Sequence, residues 1–344
     1  MAFARPAPVR TRPLSAVDRP DPTPGAAELL VRVRVCAICR TDLHILEGDL
    51  PPRRLPLVPG HQIVGVVAAR GPGCRRFDPG DRVGIAWLRG TCGTCRVCRE
   101  GRENLCPASV YTGYDADGGY AELAVVPEAF AYRVPAAFRD REAAPLLCAG
   151  IIGYRALSRS QLPPAGRLGL YGFGSSAHVV LQLARHRGAE VFVATRGDRH
   201  RALARRLGAA WVGGTCDPMP APLDAAIVFA PAGEIVPAAL RAVRAGGTVA
   251  LAGIHMTPVP TLDYAECLFH EKTLTSVEAN TRADGEDLLR EAASVAIRAE
   301  ITPFPLEQAN EALTRLKAGE IDGTGVLVID PAEPGPDENP SSAV

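Results

Sequence analysis

From about residue 150 the chain alternates short apolar runs with amphipathic segments, and this alternation leaves it few folds. RLGLYGF reads as a strand, SSAHVVLQLARHRG as a helix with a glycine stop, VFVATR as a strand and RHRALARRLGA as a helix. LDAAIVFAP gives a third strand, IVPAALRAVRAGG a third helix and GTVALAG a fourth strand. Strand and helix at this pitch specify a parallel sheet built from βαβ units. Two late helices follow, LLREAASVAI (Leu288–Ile297) and LEQANEALTRLKAGE, then a last strand, GTGVLVID.

The first strand of this half runs into Gly172-Phe173-Gly174-Ser175-Ser176-Ala177, a G-x-G-x-x-A turn that opens a helix. Gly172 permits the tight turn and Gly174 lets backbone approach a pyrophosphate. Ala177 is small enough for close helix–strand packing, with the phosphates over the helix N-terminus beside Ser175 and Ser176. The tip of the next strand carries Thr195-Arg196, where an NAD site places an acid for the ribose hydroxyls. An arginine suits a 2′-phosphate, through a charge-assisted bond contributing about 1.5–3 kcal/mol. The expectation is NADP(H) in preference to NAD(H), with Arg199 and Arg201 close behind. Asp198 is the competing residue: reaching the ribose, it would restore NAD.

The first 150 residues have another texture, rich in proline, glycine and β-branched runs. ELLVRVRVCAIC (Glu28–Cys39) alternates with period two, as a half-buried strand does, and IVGVVAAR and DRVGIAW are shorter strands. This half reads as β-rich and barrel-like. It contains Cys92, Cys95, Cys98 and Cys106 in the spacing C-x2-C-x2-C-x7-C. Such a quartet suits a closed, tetrahedral, structural Zn²⁺. The alternatives are two disulfides or four unrelated buried cysteines; i, i+3, i+6 spacing serves a metal knuckle better than a disulfide. Cys39 and His61 hint at a second metal site, although by spacing alone an inert buried cysteine and a turn histidine read equally well.

At 344 residues the chain is long for one core and suggests two domains. With 38 basic and 38 acidic residues there is no global field to favour nucleic acid or an anionic membrane. No apolar run of spanning length is free of glycine and proline, and the N-terminus lacks the apolar core of a secretory signal. Ten cysteines in that context point to a reducing, cytoplasmic location and to metal sites. The tail, PAEPGPDENPSSAV (331–344), reads as disordered from its proline-rich polar composition.

Cys39-Arg40-Thr41-Asp42-Leu43-His44, Gly60-His61, the cysteine quartet, TGYDADGGYAE, Cys148 in PLLCAGIIGYRAL and GFGSSA occur in this order. Together they resemble the zinc-dependent medium-chain alcohol dehydrogenases, over essentially residues 25 to 330. The resemblance implies an α/β protein. A GroES-like β-rich catalytic domain would span 1–149 and 280–330, and a Rossmann doubly wound parallel-sheet domain 150–279. It implies two zinc ions per chain, one structural at the quartet and one catalytic at Cys39, His61 and Cys148. It also implies that Thr41 bonds the substrate oxygen, that His44 ends a proton relay, that Asp42 orients the ligand histidine and that Arg40 meets the cofactor pyrophosphate. Ser176 would lie near the nicotinamide, and Trp87, with Tyr111, would wall the pocket. The substrates implied are small alcohols, aldehydes or ketones, and the assembly a homodimer or homotetramer.

Two departures stand out. Gln62 follows the ligand histidine where the family usually has Glu, which is expected to slow ligand exchange or alter its pH dependence. The usual acid at the second strand is also missing, which puts NAD in doubt. Rival readings are a zinc-free quinone or enoyl reductase of the same superfamily, which generally lacks the quartet and the Cys39/His61 pair, and a non-catalytic nucleotide-binding protein. Retention of Cys39, Thr41, His44, His61 and Cys148 together argues against the latter.

Overall fold

A computed structural model describes residues 1–295, 297–321 and 323–330; the tail expected to be disordered lies outside them. The chain divides into two compact units. The first contains Met1–Cys148, Thr281–Ala293 and the described residues from Ala299 onward, and the second Ala149–Asn280 with Ser294–Arg298.

Seven strands come before the division: β1 (Glu28–Ala37), β2 (Gln62–Arg70), β3 (Arg82–Ile85), β4 (Leu88–Gly90), β5 (Val110–Tyr111), β6 (Leu123–Pro127) and β7 (Ala131–Arg133). Three helices lie among or after them, α1 (Arg40–Glu47), α2 (Arg96–Arg99) and α3 (Asp140–Ala143). The second unit contributes β8 (Arg167–Tyr171), β9 (Glu190–Ala194), β10 (Trp211–Gly213), β11 (Leu223–Val228), β12 (Val243–Leu251) and β13 (Thr273–Ser276). Its helices are α4 (Ala149–Arg159), α5 (Ser175–His186), α6 (Asp198–Arg206), α7 (Val236–Ala242) and α8 (Tyr264–Cys267). After α9 (Arg282–Val295), the chain adds β14 (Ile301–Pro305), α10 (Ala309–Ala318) and β15 (Thr324–Val328) to the first unit.

In the first unit the order β14-β15-β1-β2-β3-β7, with β6 also paired to β1, makes a seven-stranded sheet. Its inward residues, among them Leu29, Val31, Val33, Ile63, Val67, Val83, Ile85 and Val126, form one core with Phe3, Leu46, Leu57 and Tyr120. In the second unit β10-β9-β8-β11-β12-β13 are all parallel. Numbered within that unit the order is 3-2-1-4-5-6, the Rossmann arrangement, whose crevice opens where the order reverses between β8 and β11.

Local chemistry moves several expected boundaries. The third helix stops at Ala242, because Val243 already pairs with Leu223 and a register shift lies between Leu223 and Ala225; the RAGG segment is the start of a strand. Helix α9 begins at Arg282, well ahead of Leu288: Thr281 donates its N–H and hydroxyl to Asp284, both at 2.7 Å, and so starts the helix. β14 has the sequence ITPFP, and its two prolines are tolerated because it is an edge strand. Among the described residues no helix is long and apolar enough to cross a membrane.

One buried carboxylate fixes the turn before β3. Glu128 accepts the backbone N–H groups of Arg75 (2.8 Å), Arg76 (2.6 Å) and Phe77 (3.2 Å). Burial opposes its ionisation, but these donors outweigh burial and hold its pKa below the usual glutamate value. A depressed folded-state pKa gives stability that is complete above the unfolded value of about 4.3 and is lost as pH falls through the folded value. Glu128→Gln should therefore cost about 1–2 kcal/mol in denaturant unfolding at pH 7. The gap to wild type should close below about pH 4; a gap that stays constant down to pH 3 would exclude this account.

Candidate active site and metal centres

Strand pairing brings the first two donor residues together. β1 and β2 are antiparallel with Ala37 opposite Gln62, so Cys39, just past the end of β1, comes beside His61, just before β2. Cys39 Sγ and His61 Nε2 are 3.4 Å apart. Cys148 ends the short helical turn Ala144–Leu147, whose side chains are buried. That turn follows α3, where the buried Asp140 carboxylate is held by Arg34 (3.2 Å) of β1 and Arg82 (2.6 Å) of β3. Each donor residue is thereby anchored to the same sheet. The ligand atoms of Cys39, His61 and Cys148 all lie within 4.8 Å of one another.

The geometry suits a metal better than a hydrogen bond. With Zn–S of about 2.3 Å and Zn–N of about 2.0–2.1 Å, tetrahedral angles put a sulfur and a nitrogen about 3.6 Å apart, and two sulfurs about 3.8 Å. Two thiolates and a neutral imidazole would neutralise Zn²⁺ and leave a fourth position open. Without a metal, burial opposes the charge on His61, but the Cys39 and Asp42 charges prevail and raise its pKa to about 10. Cys39 is pushed well above the usual thiol value, first by its bond to Cys148 and then by burial. These are the opposing demands that a divalent cation resolves.

Asp42 lies behind His61. It is fully buried in the first turn of α1, where Oδ2 accepts the N–H of Cys39 at 2.8 Å, while Oδ1 lies 3.4 Å from His61 Nδ1. One carboxylate thus holds both the helix start and the histidine ring. Thr41 is buried on the same turn, and Arg40 is exposed. His44, three residues beyond Thr41 and on the same helix face, has Nδ1 3.0 Å from Asp49 Oδ2. Asp49 carries no motif signal and the sequence reading missed it. Gln62 is fully buried, and its amide donates across the strand pair to the Ala37 carbonyl at 3.3 Å, a bond that an ionised glutamate could not make. Trp87 packs against His61 (ring centroids 5.0 Å, edge-on) and stacks on Tyr111 at 4.9 Å.

The quartet sulfurs also lie within 4.8 Å of one another. Cys92 Sγ is 3.6 Å from Cys106 Sγ and 4.0 Å from Cys98 Sγ, too far for disulfides and close to the spacing around one zinc. Backbone N–H groups of Thr94 and Cys95 lower the Cys92 pKa to about 6, which favours a thiolate. The β4–β5 ladder closes the base of this lobe. Glu103 within it accepts both the backbone N–H and the side chain of Arg282 at 3.0 Å.

In the second unit, Gly172 has φ +88°, and a Cβ there would stand 2.9 Å from the Ala230 nitrogen. A Cβ on Gly174, at the start of the twelve-residue α5, would meet nothing within 4 Å, which leaves room for a phosphate group. Ala177 is fully buried, while Ser175 and Ser176 are half-buried at the helix start. Beyond β9, Thr195 is buried and Arg196 exposed. Arg201 turns back to donate to the Thr195 carbonyl (2.9 Å) and lies 3.5 Å from Asp198, whose side chain is almost wholly exposed.

Comparison with known proteins agrees with this architecture. Residues 25–136 match the alcohol dehydrogenase GroES-like domain and residues 177–294 the zinc-binding dehydrogenase domain. A "Probable alcohol dehydrogenase AdhA" of Mycobacterium tuberculosis (strain CDC 1551 / Oshkosh) is 54% identical, covering 94% of this chain and 95% of the relative. The chain belongs to the zinc-type medium-chain alcohol dehydrogenase family. An alcohol dehydrogenase of Geobacillus stearothermophilus is 36% identical over 92% of this chain and 95% of its own length. A cinnamyl alcohol dehydrogenase structure from Sorghum bicolor superposes with a TM-score of 0.86 at 30% identity, covering 95% of this dehydrogenase-family chain and 96% of the other.

If the quartet holds a structural zinc, Cys98→Ser should reduce the zinc content by one ion per chain and lower the unfolding temperature. Substrate selectivity of the protein that remains folded should not change. A stable Cys98→Ser protein with its full zinc content, measured by metal analysis, would remove the structural role.

Proposed function

We propose that this chain is a zinc-dependent alcohol dehydrogenase that moves hydride between a primary or secondary alcohol, with the matching aldehyde or ketone, and NADP(H). The observation that carries the reading is the triangle of Cys39, His61 and Cys148 donors backed by Asp42. When bound, the zinc supplies a Lewis acid for the substrate oxygen and the nicotinamide exchanges hydride with the substrate carbon.

The protein's own residues do the rest. Cys39, His61 and Cys148 hold the metal, and Asp42 keeps the proton on His61 Nδ1 so that Nε2 faces the metal. The Thr41 hydroxyl would hydrogen-bond and orient the substrate oxygen, and His44, its ring set against Asp49, would be the terminal proton acceptor. Trp87 and Tyr111 form an apolar wall beside His61. Gly172, Gly174 and the first turn of α5 receive the pyrophosphate. Arg196, exposed where an acid would select NAD, favours the 2′-phosphate, and Arg201 is already committed to Thr195. The quartet zinc has no part in the chemistry, and the active form is a cytoplasmic homodimer or homotetramer.

The test is a panel of alcohols and carbonyl compounds assayed with NADPH and with NADH, alongside zinc quantification. Two zinc ions per chain and NADPH-dependent turnover are expected. Arg196→Asp should shift the NADPH:NADH preference toward NADH by about tenfold or more, the equivalent of one charge-assisted bond. Turnover with NADH alone would overturn the cofactor assignment, and one zinc with no turnover on any substrate would overturn the enzymatic reading.

A further inference from the structure

Among the described residues, the buried polar atoms beside the candidate metal centre that lack a hydrogen-bond partner include Asp42 Oδ1, His61 Nδ1 and the Tyr120 hydroxyl, with Gln62 Oε1 next to them in the chain. Leaving such a group unpaired in the interior is costly. Tyr120 is fully buried. Its backbone N–H donates to the Pro59 carbonyl at 3.0 Å, and Gly119 donates to Gly60 at 3.0 Å, so its loop is laced to the segment leading into His61. The ring lies against Gly60, where an added Cβ would stand 2.4 Å from Tyr120 Cδ1. A phenylalanine would fill that space equally well, so the packing leaves the hydroxyl unexplained.

We infer that Tyr120 is a positioning residue for the metal centre, its hydroxyl donating to the Asp42 carboxylate that backs His61. Asp42 Oδ2 is already taken by the Cys39 N–H. Oδ1 has two lone pairs, and the two orphaned donors are His61 Nδ1–H and Tyr120 O–H. One short closure of this phenol–carboxylate–imidazole group therefore satisfies all three atoms. Burial first, then the neighbouring Asp42, Cys36 and Cys39 charges and hydrogen bonding toward Asp42, raise the phenol's pKa well above its usual value, so the proton stays on the hydroxyl. A carboxylate bonded by both donors is fixed in place. It holds the His61 ring in one orientation and leaves the Nε2 lone pair for the metal.

The inference rests on the zinc reading of Cys39, His61 and Cys148, and its test separates the two. Chelator-driven zinc release is followed in the full-length protein, with each kinetic phase assigned by its loss in His61→Ala or in Cys98→Ser. Tyr120→Phe should release the His61-dependent zinc about tenfold faster or more, as loss of an outer partner of a ligand does. The quartet phase should not change. In an Asp42→Asn background, adding Tyr120→Phe should have no further effect. Cobalt(II) exchanged into the His61-dependent site should show a shifted visible spectrum in Tyr120→Phe. Unchanged release, equal acceleration of both phases, or an undiminished effect in the Asp42→Asn background would each overturn the role of Tyr120. A wild-type protein with no His61-dependent zinc would overturn the underlying zinc reading instead.

Discussion

The register of β1 on β2, with Ala37 opposite Gln62, is the constraint on which the candidate site depends. A slip of one residue would turn every side chain of β1 to the other face and carry the following Cys39 away from His61. The register is fixed from several sides. Val31, Val33 and Ile63 are buried in the core, β6 and β15 also pair with β1, and the Gln62 amide bonds to Ala37 across the pair. Because Gln62 is used in this way, its replacement of the family's usual carboxylate bears on the strand pair as well as on ligand exchange.

The candidate metal site would be costly to assemble without an ion. Two half-buried thiols, a buried imidazole and a buried carboxylate stand together at a place that the sheet, not their mutual attraction, has chosen. Burial disfavours every charged form, yet the Cys39 and Asp42 charges raise the pKa of His61, while the bond to Cys148 and then burial raise that of Cys39. Asp42 is the economical element. It caps α1 through Cys39 N–H and faces His61 with its other oxygen, so the helix that carries Thr41 and His44 is aligned by the same carboxylate as the ligand ring.

How much of this was legible in the sequence depended on how local the signal is. The βαβ alternation and the glycine turn at Gly172 are written in neighbouring residues, and the parallel sheet follows from them. The quartet is equally local. β10 and β13 are too short to show periodicity, and the prolines of β14 hide an edge strand. The Cys39, His61 and Cys148 grouping came only from family resemblance, since pairing register and the Asp140 anchor are tertiary facts. Asp49 was missed because a lone acid past a helix end has no pattern, and Tyr120 because a tyrosine after two glycines reads as core.

The quartet lobe gains a clearer purpose from what it is tied to. Glu103, between Cys98 and Cys106, binds the main chain and side chain of Arg282, where the chain re-enters the first unit at Thr281. Its carboxylate is held below the usual pKa because the Arg282 donors outweigh burial. Arg282 also covers the Phe130 ring at 4.9 Å. A zinc-braced loop would present that carboxylate rigidly, at little entropy cost per bond formed. A metal held there would stabilise the return of the chain into the sheet unit, far in sequence from its own cysteines.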